Sequence, residues 1–158
     1  RHRTSLIFSR EEIKEKNGLS AKIRPDPSFL KACLEPQAHV LEILVEADFS
    51  IGSDSILAEG SASGVWEMKC ARCAAVCRAS FSAAFDETYP ETVELIDLSE
   101  VIRQAVLLTL PLKQLCSEKC KGLCQVCGEN FNDGTCSCST QMPGPFSALK
   151  DFKIKEQR

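Results

Sequence analysis

Histidine is almost missing from this chain: His2 and His39 are the only two in 158 residues. So few cannot supply a Ser/His/Asp relay, and no glycine-rich phosphate loop occurs either. The carboxylates are scattered over apparent strand faces and a helix start, where solvation accounts for them. The expectation is a protein that is not an enzyme and takes no small-molecule substrate. No apolar run reaches the length needed to cross a bilayer, so no membrane role is expected. The opening Arg1-His-Arg-Thr-Ser is basic but lacks the apolar core of a secretory signal, which makes the cytosol the expected compartment. An excess of positive charge is lacking too. Nineteen Lys and Arg stand against 22 Asp and Glu, a net charge of −3. That balance argues against coating nucleic acid by bulk charge and leaves only local basic patches.

Cysteine, by contrast, is abundant, with ten in the chain. Eight fall into four pairs: Cys70/Cys73, Cys116/Cys120, Cys124/Cys127 and Cys136/Cys138. Gly122-Leu-Cys124-Gln-Val-Cys127-Gly128 has the form of a zinc knuckle, a tight turn that aims two thiolates at one metal. Gly128 suits the positive φ that such a turn requires. Disulfides would need an oxidising compartment, and a redox CxxC belongs at a helix N-terminus after a strand. Structural zinc, one or two ions, is therefore the expected cofactor. Spacing does not fix the partition. Cys70, Cys73, Cys116 and Cys120 for one site, with Cys124, Cys127, Cys136 and Cys138 for the other, is preferred because a helix between can return the chain to the first CxxC. One ion with two spare pairs stays open. Cys33 and Cys77 read as apolar packing residues, and His39 as a solvent-facing one.

The expected fold is α+β: a curved antiparallel sheet with one packed helix and a cysteine-rich zinc-binding segment. Three stretches alternate with period two, near residues 39–49, 56–69 and 76–87, and the last two flank the Cys70–Cys73 turn. In the first, Leu41, Ile43, Val45, Ala47 and Phe49 are expected to face inward. The second is rich in small residues, which points to close backbone approach. Asp97, with Glu100 three residues on, opens a helix to about Leu108 with Leu98, Val101, Ile102, Ala105 and Val106 on its apolar stripe. Ser9 with Glu12 reads as the same capping box for a short N-terminal helix after the strand-like Leu6-Ile7-Phe8. Pro25, Pro27 and Pro36 leave the next stretch irregular apart from a turn near Phe29–Leu34. Residues 1–138 read as one domain, including the cysteine-rich segment 116–138. Residues 139–158 read as a linker and a short basic amphipathic tail.

In this order the motifs resemble the YceD family of large ribosomal RNA subunit accumulation proteins. The resemblance runs roughly from Leu41 to the C-terminus and rests on quotable residues. These are Cys70-Ala-Arg-Cys73, Ile96-Asp97-Leu98, Leu108-Thr-Leu-Pro111, the run from Cys116 through Asn130-Phe-Asn132 to Cys138, and Pro145-Phe-Ser-Ala-Leu149. Phe131 stands where the family more often has leucine, a conservative departure. The resemblance implies a non-enzymatic role in accumulation or processing of large-subunit ribosomal RNA and in ribosome assembly. The implied partner is the RNA precursor, a pre-ribosomal particle or a ribosomal protein, in a bacterial cytoplasmic or a plastid setting. The residues expected to meet RNA are Lys69, Arg72, Arg78, Lys113, Lys119, Lys121, Lys150 and Lys153, although Arg72 sits inside the knuckle and leans towards a structural role. The competing expectation from the residues themselves is a thiol-based redox switch or oxidoreductase using the CxxC pairs.

Overall fold

The computed structural model describes residues 4–34, 36 and 38–138. His2, Lys150, Lys153 and the expected linker and basic tail lie outside the described residues.

The architecture is α+β. Nine elements follow in order: β1 (Ile7–Ser9), α1 (Arg10–Glu15), β2 (Leu19–Ile23), α2 (Ser28–Leu34), β3 (Ala38–Ile51), β4 (Ser55–Lys69), β5 (Val76–Pro90), β6 (Leu95–Asp97) and α3 (Ser99–Leu108). The main sheet is antiparallel in the order β2-β3-β4-β5, and β1 pairs with β6 in a separate two-stranded ribbon. The three alternating stretches are thus its three long strands. Helix α3 packs on β5 and β4 and against α2. The core lies on the inner sheet face, where Trp66 and Phe81 stack with ring centroids 4.6 Å apart and Phe8 of β1 meets Phe49 of β3 at 4.6 Å.

The inward face of β3 departs from strict alternation at one point. The register slips between Val40 and Glu42, so Ala38 and Val40 are buried before the slip and Ile43, Val45, Ala47 and Phe49 after it. Leu41, expected inward, is turned out and 39% exposed. A bulge adds one residue to one strand and so inverts the facing of what precedes it.

The small residues of β4 have a definite purpose. A Cβ on Gly64 would lie 2.1 Å from the carbonyl oxygen of Glu42 and 2.9 Å from the Phe81 ring; one on Gly60 would lie 2.0 Å from the carbonyl oxygen of Glu46. Both glycines let β3 come close, and the Phe81 ring takes the space that a side chain at residue 64 would fill.

Other expectations are corrected. The short N-terminal helix expected after Ser9 is present as α1, and one further helix, α2, was not expected. Residues 28–34 form a full helix rather than a turn, with Leu30 and Leu34 buried. Strands β2 and β6 appear where none was expected. Both are short, and each is defined by its partner rather than by its own pattern. Ser9 makes no side-chain cap; the first amide of α1, Arg10 N–H, donates instead to the Glu94 carbonyl at 2.9 Å. At α3 the Asp97 carboxylate accepts the Ser99 N–H at 2.9 Å, while Glu100 turns to Arg103 and Gln104. Cys33 is half-buried and its thiol donates to the Leu30 carbonyl at 3.1 Å.

Adding a methyl group at Gly64 forces backbone to move, and overpacking of that kind costs about 3 kcal/mol. Gly64→Ala is therefore expected to lower the unfolding free energy by about that amount in denaturant titration. Gly134→Ala, whose Cβ would meet only the Glu129 carboxylate at 3.8 Å, should change it by less than about 0.5 kcal/mol.

Candidate metal centres

The β4–β5 connection and the loop after Cys120 make the same turn twice. At the first, Cys70 N–H donates to the Ala75 carbonyl at 2.8 Å and Ala74 N–H donates back to the Cys70 carbonyl at 2.9 Å. Arg72 N–H points at the Cys70 sulfur, 3.4 Å away. At the second, Cys124 N–H donates to the Glu129 carbonyl at 2.8 Å and Gly128 N–H to the Cys124 carbonyl at 3.0 Å. Val126 N–H points at the Cys124 sulfur, again at 3.4 Å. Each turn closes on a residue of positive φ, Ala74 at 57° and Gly128 at 77°. The two CxxC motifs are thus one local structure, with the first sulfur held by a backbone N–H and the second carried round beside it.

The eight cysteines fall into two groups: Cys70, Cys73, Cys116 and Cys120, then Cys124, Cys127, Cys136 and Cys138. Within each group the four sulfurs lie within 4.8 Å of one another, an arrangement that could hold a metal ion. In the first, Cys70 and Cys120 sulfurs are 3.8 Å apart and those of Cys73 and Cys116 3.5 Å apart. A tetrahedron with metal–sulfur arms of about 2.3 Å has edges of about 3.8 Å, so the donor set and its size fit a tetrahedral thiolate site. Cys70, Cys73, Cys120 and Cys124 are buried, Cys136 and Cys138 half-buried, and Cys116 and Cys127 exposed. Cys33 and Cys77 stand outside both groups. Cys77 is half-buried against the first group, and its thiol donates to the Met68 carbonyl at 3.4 Å.

As thiols, the sulfurs of one group cannot share one ionisation state. Backbone N–H groups of Cys73, Cys116 and Arg72 pull Cys70 down to about 6. Those of Cys127 and Val126 pull Cys124 down to about 6. Hydrogen bonding to Cys73 and Cys120, with some burial, pushes Cys116 up to about 12. Cys138 is pushed up to about 12 by its contact with Cys127 and by burial. The Asn132 amide lowers Cys120. Cys70 and Cys120 in the first group and Cys124 in the second are lowered by such hydrogen bonds, while a neighbour in each group keeps its proton. Only a cation at the centre lets all four ionise together.

The first group is assembled from distant chain. Helix α3 and the turn after it bring residues 109–120 back to the sheet end. There Ala71 N–H donates to the Gln114 carbonyl at 2.8 Å and the Arg72 guanidinium donates to the Cys120 carbonyl at 2.9 Å. Arg72 is accordingly engaged within the centre. Arg78 pairs with Glu67 at 3.0 Å. Lys69, Lys113, Lys119 and Lys121 are exposed around the two groups. The sequence reading missed Asn132, whose side chain meets both Cys120 and Asn130; the only signal was its place in the quoted Asn130-Phe-Asn132 element.

Comparison with known proteins places the C-terminal part of this arrangement in context. The family model described as "Large ribosomal RNA subunit accumulation protein YceD" matches residues 86–153. A chloroplastic "Large ribosomal RNA subunit accumulation protein YCED homolog 1" of Arabidopsis thaliana is 34% identical over 67 residues, which cover 40% of this chain and 21% of that protein. The protein of the same name in Zea mays is 36% identical over 63 residues, covering 39% of this chain and 22% of that one. The match thus spans about a fifth of the length of these relatives. No solved structure matches the chain significantly. The resemblance to the YceD family is upheld, over a shorter stretch than from Leu41 onward. Cys70 and Cys73 fall before the family match; folding is what joins them to Cys116 and Cys120.

Two glycines test the turn geometry separately from the sulfurs. Gly128→Ala meets no atom within 4 Å but keeps φ at +77°, whereas Gly122→Ala has φ +80° and a Cβ 3.3 Å from the Arg72 carbonyl oxygen. Holding a left-handed conformation costs about 1 kcal/mol, so Gly128→Ala should lose about that and Gly122→Ala about 2 kcal/mol in unfolding experiments.

Proposed function

From the resemblance of residues 86–153 to the YceD family, we propose that this chain acts in the accumulation and processing of large-subunit ribosomal RNA during ribosome assembly. It does so as a zinc-bound binding module with no catalysis of its own. Residues 1–138 act as one domain. Cys70, Cys73, Cys116 and Cys120 hold one zinc ion, and Cys124, Cys127, Cys136 and Cys138 the other. The observation that carries the reading is the convergence of four sulfurs at each of two points. Zinc in a four-thiolate site is coordinatively closed, so it contributes folding free energy and leaves no open position for a substrate.

A thiol switch is the competing reading. It is disfavoured because each CxxC turns between extended segments rather than at a helix N-terminus, the setting that activates a redox cysteine. The sulfurs also surround a common point rather than forming one close pair.

Each loaded centre carries a formal charge of −2, which Lys69, Lys119, Lys121 and Arg72 offset nearby. The exposed Lys69, Lys113, Lys119 and Lys121, interspersed with exposed Glu118, Glu129 and Asp133, are the side chains that would meet RNA phosphates. The outer sheet face has the opposite character. Asp48, Glu59 and Asp86 stand directly opposite one another on β3, β4 and β5, all exposed. RNA phosphates would therefore approach the cysteine end and avoid the sheet. Arg72 and Arg78 contribute less, since one is tied to Cys120 and the other to Glu67. Both matched relatives are named as chloroplastic, which supports a plastid setting over a bacterial cytoplasm.

Two measurements test this reading. Cys73 and Cys136 are raised, and Cys116 and Cys138 lie at about 12, so two thiols per group hold their protons at pH 7. Zinc binding should then release at least two protons per ion, and affinity should fall by about a hundredfold per unit drop in pH, read by calorimetry in buffers of different ionisation enthalpy. Binding to large-subunit RNA precursor should weaken steeply with salt, by about 0.7 to 0.9 log units per tenfold rise in salt for each phosphate contacted. Replacing Lys119 and Lys121 by Gln should reduce both affinity and slope at constant zinc content. A salt-independent association would instead assign the direct contact to a ribosomal protein.

A further inference from the structure

Asn132 belongs to the loop between Cys127 and Cys136, inside the second sulfur group, yet its side chain reaches the first. Its amide nitrogen lies 3.4 Å from the Cys120 sulfur. The orientation is fixed by chemistry. The backbone N–H of Lys121 can only donate, and it lies 2.9 Å from Asn132 Oδ1. The carbonyl end must therefore face Lys121, which leaves the NH2 end for Cys120 and for Asn130 Oδ1 at 2.8 Å.

The loop carrying Asn132 is itself tied down around the second group. Cys124 N–H donates to Glu129, Phe131 N–H donates to the Gly122 carbonyl at 3.0 Å, and Gly134 N–H to the Asn130 carbonyl at 3.2 Å. Leu123 and Asn130 pair as an isolated bridge. Every one of these bonds joins residues fewer than 13 apart, whereas the first group must gather sulfurs 43 and 50 positions apart.

We propose that Asn132 is a positioning residue that couples the two metal centres, so that zinc held by Cys124, Cys127, Cys136 and Cys138 tightens zinc held by Cys70, Cys73, Cys116 and Cys120. The inference rests on the two-zinc reading above. Loading the local centre fixes the 124–138 loop and thereby the Asn132 donor on Cys120. That donor orients the sulfur and satisfies one of its lone pairs before the distant Cys70–Cys73 turn closes over it. Hydrogen bonds of this kind to a metal ligand typically change affinity by 10- to 100-fold. Coupling is reciprocal, so an ion at the first centre must equally favour the second.

The test uses the full chain loaded with zinc, a chelator series, native mass spectrometry for stoichiometry and alkylation mapping to show which cysteines are released. Wild-type protein should lose its two ions over a narrow chelator range. Asn132→Ala should expose Cys70, Cys73, Cys116 and Cys120 at about 10- to 100-fold lower chelator concentration. Asn132→Asp keeps the acceptor for Lys121 N–H but removes the donor to sulfur, and should behave like Asn132→Ala. Recovery of wild-type retention in Asn132→Asp would assign the residue to backbone bracing and overturn the proposal. Cys127→Ser with Cys136→Ser should weaken the first centre by the same factor, and adding Asn132→Ala to that pair should weaken it no further. Fully additive losses, or unchanged first-centre retention in every variant, would also overturn it. A wild-type chain that binds no zinc would instead defeat the two-zinc reading.

Discussion

Everything at the functional end of this molecule depends on bringing the Cys70–Cys73 turn to Cys116 and Cys120. Partner sulfurs there are 43 and 50 positions apart. Between them the chain makes β5, the β6 ribbon and α3. Closing a loop of that length costs entropy that grows only slowly with its size, as about (3/2)RT ln n, and the packed core recovers it. Strands β4 and β5 hold the turn at one end of the sheet. Helix α3, with Ile102 and Val106 buried and Leu98 buried just before it, runs back along the inner face and delivers residues 109–120 beside it. The sheet and the helix can therefore be understood as the scaffold of one four-sulfur point.

The second group is of another kind. It needs no scaffold beyond its own hairpin-like turn, because all four sulfurs come from residues 124–138. The same knuckle serves both, with Ala74 in the position that Gly128 occupies in the copy. Asn132 reaches from the second group to the Cys120 sulfur of the first, while Arg72 braces the first group from within through the Cys120 carbonyl. The result is a cysteine end rich in exposed lysine, set against a sheet whose outer face carries opposed carboxylates.

Much of this was legible in the residues. Period two across β3, β4 and β5 is a direct consequence of one buried face, and the Leu98, Ile102 and Val106 stripe is equally direct for α3. The grouping of the eight cysteines agrees with the partition preferred because a helix between can return the chain, although spacing alone left it open. Most of what escaped has physical reasons. The bulge at Val40–Glu42 leaves no mark in a pattern that continues on either side of it, so Leu41 was read on the wrong face. Strands β2 and β6 are edge or ribbon strands defined by backbone bonds to partners more than 20 residues away. Helix α2 was hidden by the prolines around it, of which Pro25 and Pro27 stand before its first turn, with the Pro27 carbonyl accepting the Leu30 N–H, and Pro36 lies beyond its end. Ser9 takes the N-cap position of α1 with an extended backbone but makes no side-chain cap, and nothing in the structure explains why. Asn132 could be named only with the family motif, since its role comes from the fold bringing Lys121 and Cys120 within reach.

The central claim is that two zinc ions, each in four thiolates, close the cysteine end. X-ray absorption at the zinc edge, on protein purified without added metal and quantified for metal and chain, tests it most directly. The account predicts two zinc ions per chain, each surrounded by four sulfurs at about 2.3 Å with no nitrogen or oxygen neighbour. A lighter, metal-poor chain with Cys70–Cys138 in intramolecular disulfides would contradict it, as would a zinc shell containing nitrogen or oxygen.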